Sequence, residues 1–292
     1  MKEFDGKVAV ITGAASGFGR EFARIAGGLG MRLVLADIEP APLEAAAAEL
    51  RAGGSDVLAE PVDVSRAADV ERLAARAVER FGAVHLLFNN AGVGAGGGFI
   101  WESSVNDWQW VLGVNLWGVI HGVRSFVPIM LRQDCECHVV NTASVAGLIS
   151  PPTMGVYNTS KHAVVALSET LFHDLRLANA KIGVSVLCPA FVDTGIAKAE
   201  RNRPGALRND APPTASQLAA RRQLERATSS GRLSAADVAR VTFDAIRENR
   251  FYILTHPRIL QSVELRLQDI LAERPPTDPF SFKQEVAFKA AP

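Results

Sequence analysis

An apolar, β-branched run near the start, Val8-Ala9-Val10-Ile11, leads directly into Thr12-Gly13-Ala14-Ala15-Ser16-Gly17-Phe18-Gly19, and the residues after it have helical character. A strand that meets glycines and then a helix has the makings of a phosphate cradle. Without Cβ atoms the backbone can approach a pyrophosphate, and the N–H groups at the helix start meet its negative charge. Taken alone, the same residues also fit an ordinary βα turn. Asp37 narrows the choice, because it ends the next apolar run 18 residues past Gly19, where an acid that binds a ribose belongs. The structural alternative for Asp37 is helix capping beside Pro40.

Short apolar runs alternate with longer Ala-, Leu- and Glu-rich segments along the whole chain, which predicts a parallel sheet wrapped by helices. Candidate strands are Lys7–Ile11, Arg32–Ala36, Val57–Pro61, Val84–Asn89, His138–Thr142, Gly183–Cys188 and Phe251–Leu254. Candidate helices include Phe18–Leu29, Pro42–Arg51, Ala67–Arg80, Tyr157–Ala180, Ala235–Glu248 with Ser234 as its N-cap, and Ile259–Ala272. The expected fold is an α/β, Rossmann-like, doubly wound parallel sheet of seven strands with helices on both faces. One domain is expected over residues 1–255. It includes an Arg-, Ala- and Pro-rich substrate flap at 195–231, and a C-terminal helix and tail, 256–292, packs on it.

Composition excludes several classes of function. Thirty-one Lys and Arg balance thirty-one Asp and Glu, so no basic field exists for a nucleic acid or an anionic membrane surface. Three cysteines, Cys135, Cys137 and Cys188, are an odd number that fits reduced thiols and a cytoplasmic protein. The first apolar run is too short for a signal peptide, and no uncharged stretch is expected to span a membrane. Cys135-Glu136-Cys137-His138 lacks a second ligand pair at zinc spacing, so no metal is expected; His121 and His162 read as packing residues.

Four further blocks share the order of one family. Asp63-Val64 follows the third candidate strand, Asn89-Asn90-Ala91-Gly92 the fourth, Ser144 the fifth, and Tyr157-Asn158-Thr159-Ser160-Lys161 comes next. Together with the TGxxxGxG form of the first turn, these resemble the short-chain dehydrogenase/reductase family over roughly residues 5–255. The resemblance implies that Gly13, Ser16, Gly17, Phe18, Gly19, Asp37, Asp63, Val64 and Asn90 hold a dinucleotide. In Pro189-Ala190-Phe191-Val192-Asp193-Thr194 it gives Val192 and Thr194 to the nicotinamide carboxamide. Ala190 replaces the usual glycine, at a cost of about 1 kcal/mol if that position needs positive φ.

The chemistry follows from spacing and pKa. Tyr157 and Lys161 lie four apart and share one helix face. A phenol with an ordinary pKa of about 10 releases its proton near neutrality only with help, and a neighbouring ammonium and a nicotinium cation would stabilise the phenolate. Tyr157 is the candidate general acid–base and Ser144 the group that would hold the substrate oxygen. By resemblance, Asn115 supports a water chain to Lys161, and Lys161 also contacts the cofactor ribose. Apolar residues at 94–99, with Val145, Ala146, Leu148, Ile149, Pro151, Met154 and Phe191, are expected to wall a hydrophobic substrate. Six flap arginines, Arg201, Arg203, Arg208, Arg221, Arg222 and Arg226, fit either a solvated face or recognition of a carboxylate or phosphate.

The expected activity is hydride transfer between NAD, preferred over NADP because of Asp37, and a secondary alcohol or ketone. A nicotinamide-dependent epimerase or dehydratase and a non-catalytic dinucleotide sensor are the alternatives. A homodimer or homotetramer is expected through the helices at 104–132 and 157–180.

Overall fold

Seven strands form one wholly parallel sheet in the order β3-β2-β1-β4-β5-β6-β7. They are β1 Val8–Thr12, β2 Arg32–Asp37, β3 Val57–Pro61, β4 Leu86–Asn89, β5 Cys137–Thr142, β6 Ile182–Cys188 and β7 Tyr252–Leu254. The fold is the Rossmann-like α/β sheet expected from the alternating pattern. The computed structural model describes residues 1–94, 97–229 and 233–281. Ala95 and Gly96 of the expected pocket wall, residues 230–231 of the flap and 282–292 of the tail lie outside the described residues.

The winding fixes where a ligand can bind. The chain leaves β1 for β2 on one side and reaches β4 on the other side of β1. A crevice therefore opens beyond the carboxyl ends of β1 and β4, the switch point where α/β sheets take their ligands.

Helices α1 Gly17–Gly28, α2 Pro40–Ala52 and α8 Ala235–Arg247 cover one face; α3 Ala67–Phe81, α5 Gly118–Gln133 and α6 Gly155–Leu177 cover the other, and α4 Val105–Leu112 packs against the start of α6. Both faces of the sheet are apolar because both are covered, so strands such as β1 and β5 are buried along their whole length. Phe22 stacks on Phe88 at 4.4 Å between ring centroids, and Phe88 meets Phe243 at 5.7 Å, joining α1, β4 and α8. Truncating Phe22 to Ala would cost about 3–5 kcal/mol, the range for an aromatic ring removed from a packed core.

Element boundaries moved for local reasons. Gln133 takes both the N–H and the carbonyl of Val84, at 2.8 Å each, so β4 begins at Leu86 and not Val84. Asn179 adopts φ +50°, and α6 ends at Leu177, short of Ala180. Ser234 caps α8 as expected, accepting the Asp237 N–H at 3.1 Å while Asp237 accepts the Ser234 N–H at 2.8 Å.

The run Val105–Gln133 is more apolar than the sequence reading allowed and passes the length and composition test for a membrane span. In the fold its Trp110, Val111, Val119, Phe126 and Met130 are buried core residues. Phe126 therefore faces inward, unlike Val105, Trp117 and Leu131, which are exposed on the same run. The flap contains short turns at Ile196–Asn202 and Gly205–Leu207 and a helix, α7 Ala215–Ser229; a last helix, α9 Leu260–Leu271, follows β7.

Candidate active site

The glycine turn is packed as tightly as its sequence suggested. A Cβ on Gly19 would stand 2.0 Å from the Gly13 carbonyl oxygen, an impossible contact, so glycine is required where α1 meets the turn. Gly17 has φ +52°, and a Cβ there would lie 2.9 Å from Cβ of Thr194. Thr194 is thus brought against the cradle from the loop after β6.

Asp37 closes the other side. Its Oδ2 accepts the Ala15 N–H at 2.9 Å and its Oδ1 the Glu39 N–H at 3.0 Å. Burial raises its pKa above the usual carboxylate value, and those N–H donors work against the rise. Asp37 does not cap α2, whose N-cap is Glu39 and has no side-chain cap; its carboxylate instead closes the short turn that leads into that helix. Glu39, two residues on, is bound by Arg201 of the flap at 2.7 and 3.0 Å and by Asn202 at 3.2 Å. Arg201 holds the Glu39 carboxyl below its usual range.

Beyond β4, Thr12 organises the Asn90 loop. Its hydroxyl accepts the N–H groups of Asn90 and Ala91 at 2.9 and 3.1 Å, and Asn90 Nδ2 donates to the Thr12 carbonyl at 2.9 Å. Asn115, fully buried in a π-helical turn at Gly113–Trp117, grips the same loop. It accepts the Val93 N–H at 2.8 Å, donates to the Val93 carbonyl at 3.0 Å and donates to the Ser160 hydroxyl at 3.2 Å. Asp63 is engaged by Ser65, whose hydroxyl lies 2.7 Å from its Oδ1, and His121 donates to the Val64 carbonyl at 3.0 Å.

Tyr157 and Lys161 stand on one face of α6. The Lys161 Nζ donates to the Thr142 carbonyl at 2.9 Å and lies 5.6 Å from the centre of the Tyr157 ring. Burial pushes the Tyr157 phenol up to about 12, against which the Ser144 hydroxyl works in the opposite direction. Burial also lowers Lys161 to about 8. Ser144 caps the short turn Val145–Gly147 and donates to the Pro189 carbonyl at 3.3 Å. Ala190 is not among the residues with positive φ, so it fits its loop without the strain considered from its sequence.

A single cavity of about 530 Å³ joins these groups. Its lining includes Gly13, Ser16, Gly17, Phe18, Asp37, Asp63, Val64 and Asn90 together with Ser144, Tyr157, Lys161, Val192 and Thr194. Gly19 and Asn115 lie behind its wall. Among the described residues no group of three His, Cys, Asp or Glu is placed to hold a metal.

The expected substrate wall needs correction. Val145, Ala146, Pro151, Met154 and Phe191 do face the cavity. Leu148 and Ile149 do not: Leu148 packs against the cluster of Val164, Val165 and Val186, Ile149 is fully buried beneath Val145 and its neighbours in the wall, and Phe99 points to solvent. Arg203 is neither a solvated residue nor a free anion site. It is buried against Asp107 at 2.7 Å, with its guanidinium 5.0 Å from the centre of the Trp110 ring. Burial alone would raise the Asp107 carboxyl, but Arg203, Ser104 and Asn209 hold it below its usual range.

Sequence reasoning missed Thr12, Asp107 and Phe280. Ser104 and Asp107 form a capping box whose three-residue spacing was readable. Phe280, far along the chain from every motif, carried no such signal.

A family model described as short chain dehydrogenase matches residues 7–205. A CLA biosynthesis dehydrogenase/reductase from Lactiplantibacillus plantarum is 36% identical over 94% of this chain and 97% of its own length. A C alpha-dehydrogenase from Sphingobium sp. is 32% identical, covering 98% and 93%. The crystal structure of a short-chain dehydrogenase/reductase from Burkholderia phymatum in complex with NAD superposes with a TM-score of 0.94 at 65% identity, covering 96% of this chain and 100% of that one. By motif order, sheet topology and these matches, the chain belongs to the short-chain dehydrogenase/reductase family.

Proposed function

We propose that the protein is an NAD-dependent alcohol dehydrogenase or ketone reductase acting on a hydrophobic secondary alcohol or ketone. The observation that carries this is the single cavity running from the glycine cradle and Asp37 to Ser144, Tyr157 and Lys161. The cradle fits a dinucleotide: a Cβ at Gly19 would collide with the Gly13 carbonyl and break the tight turn, and the Asp37 carboxylate stands beside that turn. Gly13, Ser16, Gly17, Phe18 and Gly19 would hold the pyrophosphate, Asp37 the adenosine ribose, Asp63, Val64 and Asn90 the adenine side, and Val192 and Thr194 the carboxamide.

When bound, NAD(H) supplies the hydride-transfer chemistry. Tyr157 Oη holds the proton that leaves or joins the substrate oxygen, and Ser144 donates to that oxygen as it takes on alkoxide character. Lys161 places its ammonium beside the phenol and favours its ionised form, countering the rise that burial imposes. Asn115 fixes the loop around Val93 next to Lys161. The dehydrogenase names of the two relatives and the NAD in the Burkholderia phymatum structure support the same reading.

The functional unit is one NAD-binding domain, residues 1–255 with its flap at 195–231, carrying the segment 256–292. It works in the cytoplasm with reduced cysteines, as a homodimer or homotetramer. Exposed Val105, Trp117 and Leu177 on the pairing helices support that assembly. A monomeric mass by light scattering at micromolar concentration would remove it.

The test of the activity is NAD+ reduction across aliphatic, aryl, steroid and sugar alcohols. Absorbance of NADH should rise with the apolar secondary alcohols. Substrate turnover without net NADH change would instead identify an epimerase or dehydratase, and cofactor binding without turnover a sensor.

A further inference from the structure

The segment after α9 puts one aromatic ring into the wall of the active-site cavity. Phe280 is only 7% exposed, lines the cavity and packs with Val145, Ile149 and Ile259, with Ala190, Phe191 and Val263 against the same cluster. Val145 directly follows Ser144. The ring therefore stands on the side of the cavity next to the group that would hold the substrate oxygen.

The ring is held by a built network. After α9 the chain doubles back, and Asp269 receives it: its Oδ2 accepts the Thr277 N–H at 2.8 Å and its Oδ1 pairs with Arg274 at 3.0 Å. The Ser262 hydroxyl donates to the Pro279 carbonyl at 2.8 Å, and Asp278 accepts the Phe280 N–H at 2.9 Å. Ser262 and Asp269 are the buried residues of α9, so the polar groups this helix withdraws from water are those that fix the return of the chain. Pro275, Pro276 and Pro279 remove backbone freedom from the same stretch.

The cavity lining also includes Gln217 and Arg221 of α7, the first half-buried and the second exposed, so that part of the lining is polar and reaches solvent, unlike the apolar wall around Phe280. That apolar wall, beside Val145 and Ser144, is the part that an alkyl substituent on a carbinol carbon held by Ser144 would meet.

We infer that Phe280 is a specificity-determining residue that limits the smaller of the two substituents on the carbinol carbon. This rests on the alcohol dehydrogenase reading above. In an apolar pocket each methylene accepted or refused changes kcat/KM by about tenfold or more. Shrinking the ring should admit a longer substituent on its side, and enlarging it should refuse one.

The test uses the four linear nonanols whose hydroxyl moves from the second carbon to the fifth. Total apolar surface stays constant while the shorter substituent grows from methyl to butyl. The unmutated enzyme, Phe280→Ala and Phe280→Trp are compared by NAD+ reduction, with NADH binding as the measure of an intact fold. The unmutated enzyme should lose about tenfold or more in kcat/KM across the series. Phe280→Ala should recover most of that loss and Phe280→Trp should deepen it; if the alanine variant fails to bind NADH, the tryptophan variant decides alone. Parallel profiles for variants that bind NADH overturn the inference and leave the redox reading intact. An unmutated enzyme that binds NADH but oxidises no alcohol in this or the broader panel overturns that reading, and the inference with it.

Discussion

Asp37 reaches from the end of β2 back to the glycine turn, where its Oδ2 accepts the Ala15 N–H at 2.9 Å. The bond holds a carboxylate beside the cradle, where it would repel a 2′-phosphate placed within about 4 Å. Preference for NAD over NADP by at least about tenfold in kcat/KM, about 1.4 kcal/mol, is the expected result. Asp37→Ala should erode the preference chiefly by weakening NAD, since it removes the support of the turn as well as the ribose contact. Asp37→Asn keeps an acceptor for Ala15 without the charge, and should relax discrimination with less loss of NAD. Equal efficiency with both cofactors in the unmutated enzyme would overturn the assignment.

Arg201 adds a second expectation. It is bound to Glu39 through two N–H groups and also feels the charge of Asp37. Glu39→Gln should release it and raise kcat/KM for NADP by several-fold. Steady-state rates with both cofactors would measure this. The gain should vanish when Arg201→Ala is added, and a gain that survives would mean the arginine plays no part.

Much of this was legible in the sequence because the relevant constraints are local. Seven apolar runs separated by helical periods gave the sheet, and glycines at fixed offsets from a strand gave the cradle. Tyr157 and Lys161 share a helix face by spacing alone. Other features were not legible because they depend on which distant segments the fold brings together. Arg203 reads like its neighbours in an arginine-rich stretch, and only the approach of Asp107 on α4 makes it a buried ion pair. Phe280 becomes cavity wall only because α9 and its return loop aim it there. Ile149 is close to Ser144 in sequence, yet it is fully buried and supports the wall from within, while Val145 and Phe280 of the same cluster reach the cavity.

Tyr157→Phe removes only the phenolic oxygen and should leave NADH affinity nearly unchanged while lowering turnover by about a hundredfold or more, the contribution of a positioned acid–base. Lys161→Ala should impair affinity and rate together. Near-normal turnover in the first variant would remove Tyr157 from the mechanism. Unchanged NADH affinity in the second would remove the ribose contact.

The flap is anchored by the buried pair Arg203–Asp107, at 2.7 Å. Removing one partner strands the other charge, so Arg203→Leu should destabilise by about 3–5 kcal/mol. Asp107→Leu combined with Arg203→Leu removes both charges and should recover part of that loss. Urea unfolding of the single and double variants measures the coupling; additive losses would mean that the two side chains do not act as a pair.

Stability should also fall on mild acidification, through His85. Its Nδ1 accepts the Val8 N–H at 3.1 Å, so the ring must be unprotonated there to join β1 to the start of β4. Burial, with Lys7 and Arg32 nearby, lowers its pKa to about 4, against about 6.5 in an unfolded chain. The depressed value sets the sign. Above about pH 6.5 neither state binds the proton and the contribution is complete; as pH falls toward 4 the unfolded chain protonates first and stability is lost. The slope is about 1.4 kcal/mol per pH unit for one histidine, so about 2 kcal/mol should disappear between pH 6.5 and 5. His138, buried on β5 and lowered to about 3 by that burial, adds a second proton to the same window. His85→Asn places an amide oxygen where Nδ1 accepts and does not titrate, so it should reduce the acid slope by about one proton. Unfolding free energies from urea titrations at several pH values would show this, and an unchanged slope in His85→Asn would exclude His85 as the source.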